Sequence, residues 1–353
     1  MAEDAEKGPC VHVCILLIIG VCTIIWCSLW KESACDKFSK RIQEECSNYS
    51  PPANAQLRRR SFYDEVRRRC SLYSPPPDAP LRLDKDCNKI AEAFTNAVAS
   101  KDPCYITAED YLPLMELVNQ EIPTDKVLLW SKTQELKEQY MKAGGKLLTQ
   151  EHMLVSHIAD NLMWCGNKGS SEVKYGLFRE ENGICPLYPT RVFWEVAAKW
   201  FAENNRGQVH VLLNGSSSES VAYNETSVFR CAEVPNLSLK VTELHAWVIC
   251  DCGVNVRDSC SGASIKQLEL DLRRYVRPDI VFTCEDMDRE TFLQRVKNYG
   301  SSQSKSVLWN MIGVIRGMIR SIAELYFLFY EPFLSPTVLF SPEHCCDFHL
   351  VWT

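Results

Sequence analysis

Eighteen cysteines in 353 residues constrain this chain more than any other feature. They run from Cys10 to Cys346 and form no paired CxxC knuckles, and Cys250-Asp251-Cys252 has no second pair at zinc-finger spacing. Cytosolic thiols are kept reduced, so this usage predicts an oxidising compartment and a fold cross-linked by disulfides. Four Asn-x-Ser/Thr triplets, at Asn48, Asn214, Asn224 and Asn236, agree with a luminal or extracellular domain. Pro51 directly follows the Asn48 triplet and weakens it, which leaves Asn214, Asn224 and Asn236 as the expected glycosylation sites.

The charge balance narrows the partners. Against 45 Asp+Glu stand 39 Lys+Arg, a formal net charge of −6, which argues against a broad nucleic-acid surface. No His, Cys and carboxylate constellation has metal-ligand spacing, so no metal is expected.

Residues 10–30, CVHVCILLIIGVCTIIWCSLW, carry no formal charge and are long enough to cross a bilayer as a helix. A cleaved signal peptide would have a shorter apolar core and a small-x-small site after it. The flanks do not orient the segment: Glu3, Asp4, Glu6 and Lys7 precede it, and Lys31, Lys37, Lys40 and Arg41 follow. The cysteines and sequons do, because all the sequons and most of the cysteines lie beyond it. The expectation is a single-pass type II protein of the cell membrane, with residues 1–9 as a cytoplasmic tail and the rest outside.

Residues 31–61 read as a stalk containing part of a local duplication. Cys46-SNYSPPANAQLR matches Cys70-SLYSPPPDAPLR 24 residues later, and Phe38 and Phe62 each stand eight residues before their cysteine. The Pro pairs and the run Arg67-Arg68-Arg69 suggest exposure. From 88 to 200 apolar residues recur at helical spacing, over 88–98, 111–118, 136–141, 151–163 and 192–202. The period then changes. Short apolar, β-branched runs at 208–214, 244–250 and 279–284, with a helix at 265–274, predict a small parallel sheet with crossover connections. The fold class is therefore α+β or α/β: a helical N-terminal subdomain, a C-terminal subdomain around the sheet, and a ligand site in the cleft between them. In the tail, 299–353, residues 307–334 are apolar but interrupted by Arg316, Arg320, Glu324 and Glu331, which fits an amphipathic helix rather than a second span.

Several segments, taken in order, resemble the ADP-ribosyl cyclase / NAD glycohydrolase family. They are CYITAEDYLPLM from Cys104, KVLLWS from Lys126, EHMLVSHIADNLMWCG from Glu151, VFWEVAAKWFAE from Val192, VHVLLNGS from Val209, AEVPNL from Ala232, LHAWV from Leu244 and DSC from Asp258. No one of them is specific; the ordered set is. It covers 62–298, the expected catalytic ectodomain.

The resemblance implies cleavage of the nicotinamide–ribose bond of NAD, which is a substrate here and not a cofactor. The pyridinium leaves as a neutral base and needs little acid help. The oxocarbenium-like ribose left behind needs a carboxylate beside it, for electrostatic support or a transient bond. Glu233 matches that carboxylate. Trp130 and Trp194 match two tryptophans at the cleft mouth, whose faces attract a pyridinium. Asp160 would accept from the nicotinamide amide and Glu151 would steer the intermediate. Nine residues separate them, so the helix between them has to bend or break. Ser227 and Phe229 match a family loop that contacts ribose and phosphate, and Ser131 and Lys132 follow Trp130 where the family often has a basic residue, with Lys132 a point charge for the diphosphate.

The resemblance also implies the disulfides Cys70–Cys87, Cys104–Cys185 and Cys260–Cys284. A further family pair is absent at both ends, where Thr124 and Arg206 stand. In the family that pair is associated with hydrolysis of the cyclic product. Cys165 lacks its usual partner and is left between Cys231 and Cys185. The expected reaction is NAD hydrolysis with some cyclisation to cyclic ADP-ribose, a calcium messenger. A predominant cyclase and a catalytically weak cysteine-rich receptor or adhesion module are the alternatives. Homo-oligomer formation is left open.

Overall fold

The computed structural model describes residues 33–50, 60–177, 184–216, 221–251 and 256–298. The expected cytoplasmic tail, the membrane segment 10–30 and the tail 299–353 lie outside these residues. Among the described residues no helix is long and apolar enough to cross a membrane.

The central sheet has four parallel strands in the order β1–β4–β5–β6: β1 (Val127–Ser131), β4 (Gly207–Asn214), β5 (Val241–Cys250) and β6 (Val281–Asp288). Parallel strands are buried on both faces, and β4 shows why its run is so apolar. Val209, Val211 and Leu213 enter the main core, while Leu212 enters a second core with Leu128 of β1 and Ile249 of β5. Two helices cover that second face: α5 (Gln134–Lys142), through Leu136 and Tyr140, and the helix at 289–298, through Phe292 and Val296. The expected strands and the 265–274 helix are present, the latter as α8 (Ala263–Tyr275), and β1 adds an edge strand in the KVLLWS segment.

The N-terminal half is built from α2 (Phe62–Leu72), α3 (Cys87–Val98), α4 (Ala108–Leu117), α6 (Leu154–Ala159) and α7 (Tyr188–Glu203). Its core is aromatic. Phe94 stacks on Phe193 at 5.1 Å and meets Phe62 and Trp164 edge-on at 5.0 and 4.9 Å. The buried Trp164 indole donates to the Tyr111 hydroxyl, which donates to the Pro189 carbonyl and so ties down the start of α7. This half is not all helical. An antiparallel hairpin, β2 (Leu162–Asn167) and β3 (Ser170–Leu177), replaces the end of the helix expected over 151–163. Gly166 permits it: a Cβ there would lie 1.9 Å from the Val98 carbonyl oxygen.

The duplicated sequence folds as duplicated structure. α1 (Ala34–Ser47) and α2 each start on a serine N-cap, Ser33 and Ser61, and each carries a disulfide-bonded cysteine in its last turn. The segment expected to be a stalk thus contains a helix fastened to the domain by Cys35–Cys231 and Cys46–Cys104. Cys70–Cys87 and Cys260–Cys284 pair as expected. The Cys104–Cys185 pairing is corrected: α1 delivers Cys46 to Cys104, and Cys185 bonds Cys165 of β2 instead.

Candidate active site

Glu233 ends a π-helical turn, Phe229–Glu233, which runs directly into the 3-10 turn Val234–Asn236. Wide turns of this kind place side chains that a regular helix would misdirect. Three residues build the turn through their contacts. The Ser227 hydroxyl donates to the Asn224 carbonyl and accepts from the Arg230 amide. Phe229, 2% exposed, packs edge-on against Tyr223. Arg230 lies over the Tyr223 ring and pairs at 3.5 Å with Asp271 of α8, which also accepts from the Tyr223 hydroxyl. The turn packs on α7 and on β1, the elements that carry Trp194 and Trp130. Glu233 is itself buried, and burial pushes its carboxyl up to about 8.

Trp130 and Ser131 are the last two residues of β1, at the carboxyl end of the parallel sheet, where ligands of such sheets bind. Ser131 is buried and Trp130 half-buried. Lys132 follows in a left-handed conformation, φ 54°, that turns the chain into α5. A cavity of about 100 Å³ adjoins this corner, lined by Lys132, Thr133, Asn214, Asp251 and Arg289 among others. Trp194 is half-buried, and its neighbour Phe193 is anchored in the aromatic core.

Glu151 and Asp160 are separated by the expected break. Glu151 sits in a 3-10 turn, Gln150–His152; Met153 is extended; α6 then runs to its C-cap, Asp160. Gln120, fully buried, holds this break. Its amide donates to the Tyr73 hydroxyl and the Ala79 carbonyl, and its oxygen accepts from the Leu154 amide. Tyr73 donates to the His152 carbonyl. At the other end Arg69 donates to the Asp160 carbonyl, and Glu65 pairs with both Arg68 and Arg69. Those guanidiniums, Arg68 first, hold the Glu65 carboxyl down at about 2. The arginine run is therefore partly structural.

One residue bridges the two sides of the site. Lys137 of α5 is ion-paired with Glu151, and its ammonium lies 4.7 Å from the Trp130 ring centroid. In the sequence it is an ordinary helix lysine, with no signal to single it out. Gln120 and the Arg230–Asp271 pair were equally silent. Of the sequons, Asn224 folds its side chain back onto Thr226, the Asn236 amide donates to the Ala232 carbonyl, and Asn214 closes β4 beside the cavity. Among the described residues no group of His, Cys, Asp and Glu is arranged to hold a metal ion.

Comparison with known proteins bears on what the arrangement does. The sequence model described as ADP-ribosyl cyclase matches residues 59–304. A rabbit (Oryctolagus cuniculus) protein named ADP-ribosyl cyclase/cyclic ADP-ribose hydrolase 1 is 37% identical over 297 residues, 80% of this chain and 90% of the relative. Its rat (Rattus norvegicus) counterpart is 42% identical over 217 residues, 61% of this chain and 70% of the relative. Among solved structures, porcine CD38 in complex with a covalent intermediate superposes with a TM-score of 0.56 at 42% identity, covering 67% of this chain and 99% of that one. With the ordered motifs and the parallel sheet already in place, these matches establish that the chain belongs to the ADP-ribosyl cyclase family.

Proposed function

We propose that this chain cleaves the nicotinamide–ribose bond of NAD, releasing nicotinamide and yielding ADP-ribose with some cyclic ADP-ribose. The observation that carries this reading is the placement of Glu233: a buried carboxylate on a turn packed against the elements bearing Trp130 and Trp194. Its relatives are named ADP-ribosyl cyclase/cyclic ADP-ribose hydrolase 1, and a covalent intermediate is held by the porcine protein.

In this reading the two indoles form the walls for the pyridinium and ribose. Glu233 faces the anomeric carbon as the C–N bond breaks, and the bond electrons leave with nicotinamide. A carboxylate in a site of low dielectric stabilises the developing positive charge far better than one in water. Asp160 and Glu151 hold the nicotinamide end, and Ser131 and Lys132 the ribose and diphosphate. Ser227 and Phe229 serve mainly by building the turn that carries Glu233. The fate of the ribosyl intermediate depends on whether water or adenine reaches it first.

The location belongs to the same proposal. Five disulfides among the described residues fit an oxidising compartment, and the apolar stretch 10–30 fits a type II anchor. Incubation of the purified chain with NAD tests the enzyme reading. Nicotinamide release that drops to background in Glu233→Gln supports it, and equal release by the two proteins removes Glu233 from the mechanism.

A further inference from the structure

Lys137 is an unusual lysine for a helix at the rim of a sheet. Its side chain is only 7% exposed. Its helix neighbours Leu136 and Tyr140 pack into the core beneath the sheet, which draws the lysine stem inward with them. A buried ammonium is costly unless it is paired. Here its partners are the Glu151 carboxylate and the face of the Trp130 indole. Those are two of the groups that the proposed function gives to the nicotinamide end of the substrate. The oxidised nicotinamide ring of NAD is also a monocation, and it is stabilised by the same kinds of partner.

We propose that Lys137 is a specificity-determining residue of this site. Its ammonium competes with the substrate's pyridinium for Trp130 and Glu151, and so sets how tightly a dinucleotide with a cationic ring binds relative to one with a neutral ring. The inference rests on the reading of the site as one for nicotinamide dinucleotides. Lys137 takes no part in bond breaking; it acts through the two groups it occupies. A cationic ring has to displace the ammonium or sit beside it with Glu151 already neutralised. A neutral ring meets no such penalty. NAD and NADH differ in this ring charge and in little else, and ADP-ribose lacks the ring altogether.

The test measures binding of NAD, NADH and ADP-ribose to the full chain carrying Glu233→Gln, which spares NAD from turnover, with and without Lys137→Met. Methionine keeps the length of the apolar stem and removes the charge. NAD is expected to bind about tenfold more tightly to the Met variant, with NADH and ADP-ribose changed by less than about twofold. With Glu233 restored, KM for NAD should fall more than kcat changes. Lys137→Arg keeps the charge and should keep the original NAD to NADH ratio. Lys137→Gln serves as the second charge-removing variant if thermal unfolding shows that the Met variant does not fold. Unchanged or weaker NAD binding in the charge-removing variants overturns the proposal, and equal weakening for all three ligands would assign Lys137 to the diphosphate instead. Failure of the enzyme reading looks different: the chain with Glu233 and Lys137 intact would release no nicotinamide from NAD.

Discussion

Cys231, two residues before Glu233, is disulfide-bonded to Cys35 in the first turn of α1, 196 residues away in sequence. The bond ties the beginning of the described chain to the turn that carries the proposed catalytic carboxylate. On the turn's other flank the Arg230–Asp271 pair anchors it to α8. The turn is therefore clamped from outside the sheet that it serves.

Replacing both Cys35 and Cys231 by serine should loosen that clamp. A native disulfide closing a long loop typically contributes about 2–5 kcal/mol, and Cys46–Cys104 still holds α1 in the double variant. The expected result is a lower unfolding temperature together with a several-fold lower kcat. Measuring kcat well below the unfolding temperature separates the two effects. Unchanged kcat at lowered stability would make the bond a staple without influence on Glu233.

The buried Glu233 predicts a pH profile. As a stabiliser of positive charge it must be ionised, and in the free protein burial holds its carboxyl at about 8. kcat/KM reports the free enzyme, so it should rise with pH toward an apparent pKa far above that of an ordinary glutamate. A bound pyridinium favours the carboxylate, so the kcat profile should be displaced to lower pH. A kcat/KM profile that is flat between about pH 5 and 9 would speak against this carboxyl as the group that has to ionise.

The same shift makes a statement about stability, with the sign opposite to the usual carboxylate. The folded-state pKa lies above the unfolded value, so between roughly 4.5 and 8 the native state holds a proton that the unfolded chain has lost. Stability from this group is fully present at acid pH and falls as pH rises through that window. Glu233→Gln removes the ionisation. It should raise the unfolding temperature near pH 7, by at most about 3 kcal/mol in stability, while abolishing activity. Near pH 4 the two proteins should melt alike. Thermal melts at the two pH values check this.

What the sequence showed and hid follows from the range of the interactions involved. The strands β4 and β5 are legible mainly in their carboxyl-terminal halves, where both faces are buried at Val211, Leu212 and Leu213 and at Val248 and Ile249 and the residues are apolar. The β2–β3 hairpin is not, because Leu162, Met163 and Trp164 continue the helical spacing begun at Leu154, and the break at Asp160 and Asn161 is a backbone event with no Pro or Gly to mark it. Glu233 is singled out by the ordered motifs alone, since a buried carboxylate and a loop carboxylate look the same in one dimension. Cys46 and Cys104 find each other only when α1 lies on the 3-10 turn Pro103–Tyr105. Lys137 is silent for the same reason: the two groups it meets, Trp130 and Glu151, stand seven residues before it and fourteen after.

The aromatic core should be sensitive to truncation at its centre. Phe94 touches Phe62, Trp164 and Phe193 and is fully buried. Phe94→Ala is expected to cost about 3–5 kcal/mol, measured by denaturant unfolding. Because Phe193 loses its stacking partner, the loss should extend to α7 and raise KM in the fraction that remains folded. Phe94→Leu, which refills most of the volume, should recover much of both.

The resemblance implies that Thr124 and Arg206 stand where the family has a cystine, and the two segments are held together here without one. The Asp125 amide donates to the Arg206 carbonyl, and the Asp125 carboxylate accepts from the Gln208 amide at 2.6 Å. A Cβ on Gly207 would come within 2.7 Å of the Thr124 side chain, which shows how close the strand starts lie. These two hydrogen bonds of Asp125 join the chain just before β1 to the start of β4. A chain without the cystine is expected to hydrolyse cyclic ADP-ribose poorly, so that the cyclic product accumulates during NAD turnover. The double variant Thr124→Cys/Arg206→Cys should close a loop of about 80 residues and stabilise the domain by up to about 4 kcal/mol. It should also raise hydrolysis of added cyclic ADP-ribose, while nicotinamide release from NAD changes less. Formation of the new disulfide is read from thiol counts, and the two activities from product analysis with each substrate supplied alone. Rapid hydrolysis of cyclic ADP-ribose by the unmodified chain would show that the pair is dispensable for that step and that the hydrogen bonds of Asp125 suffice.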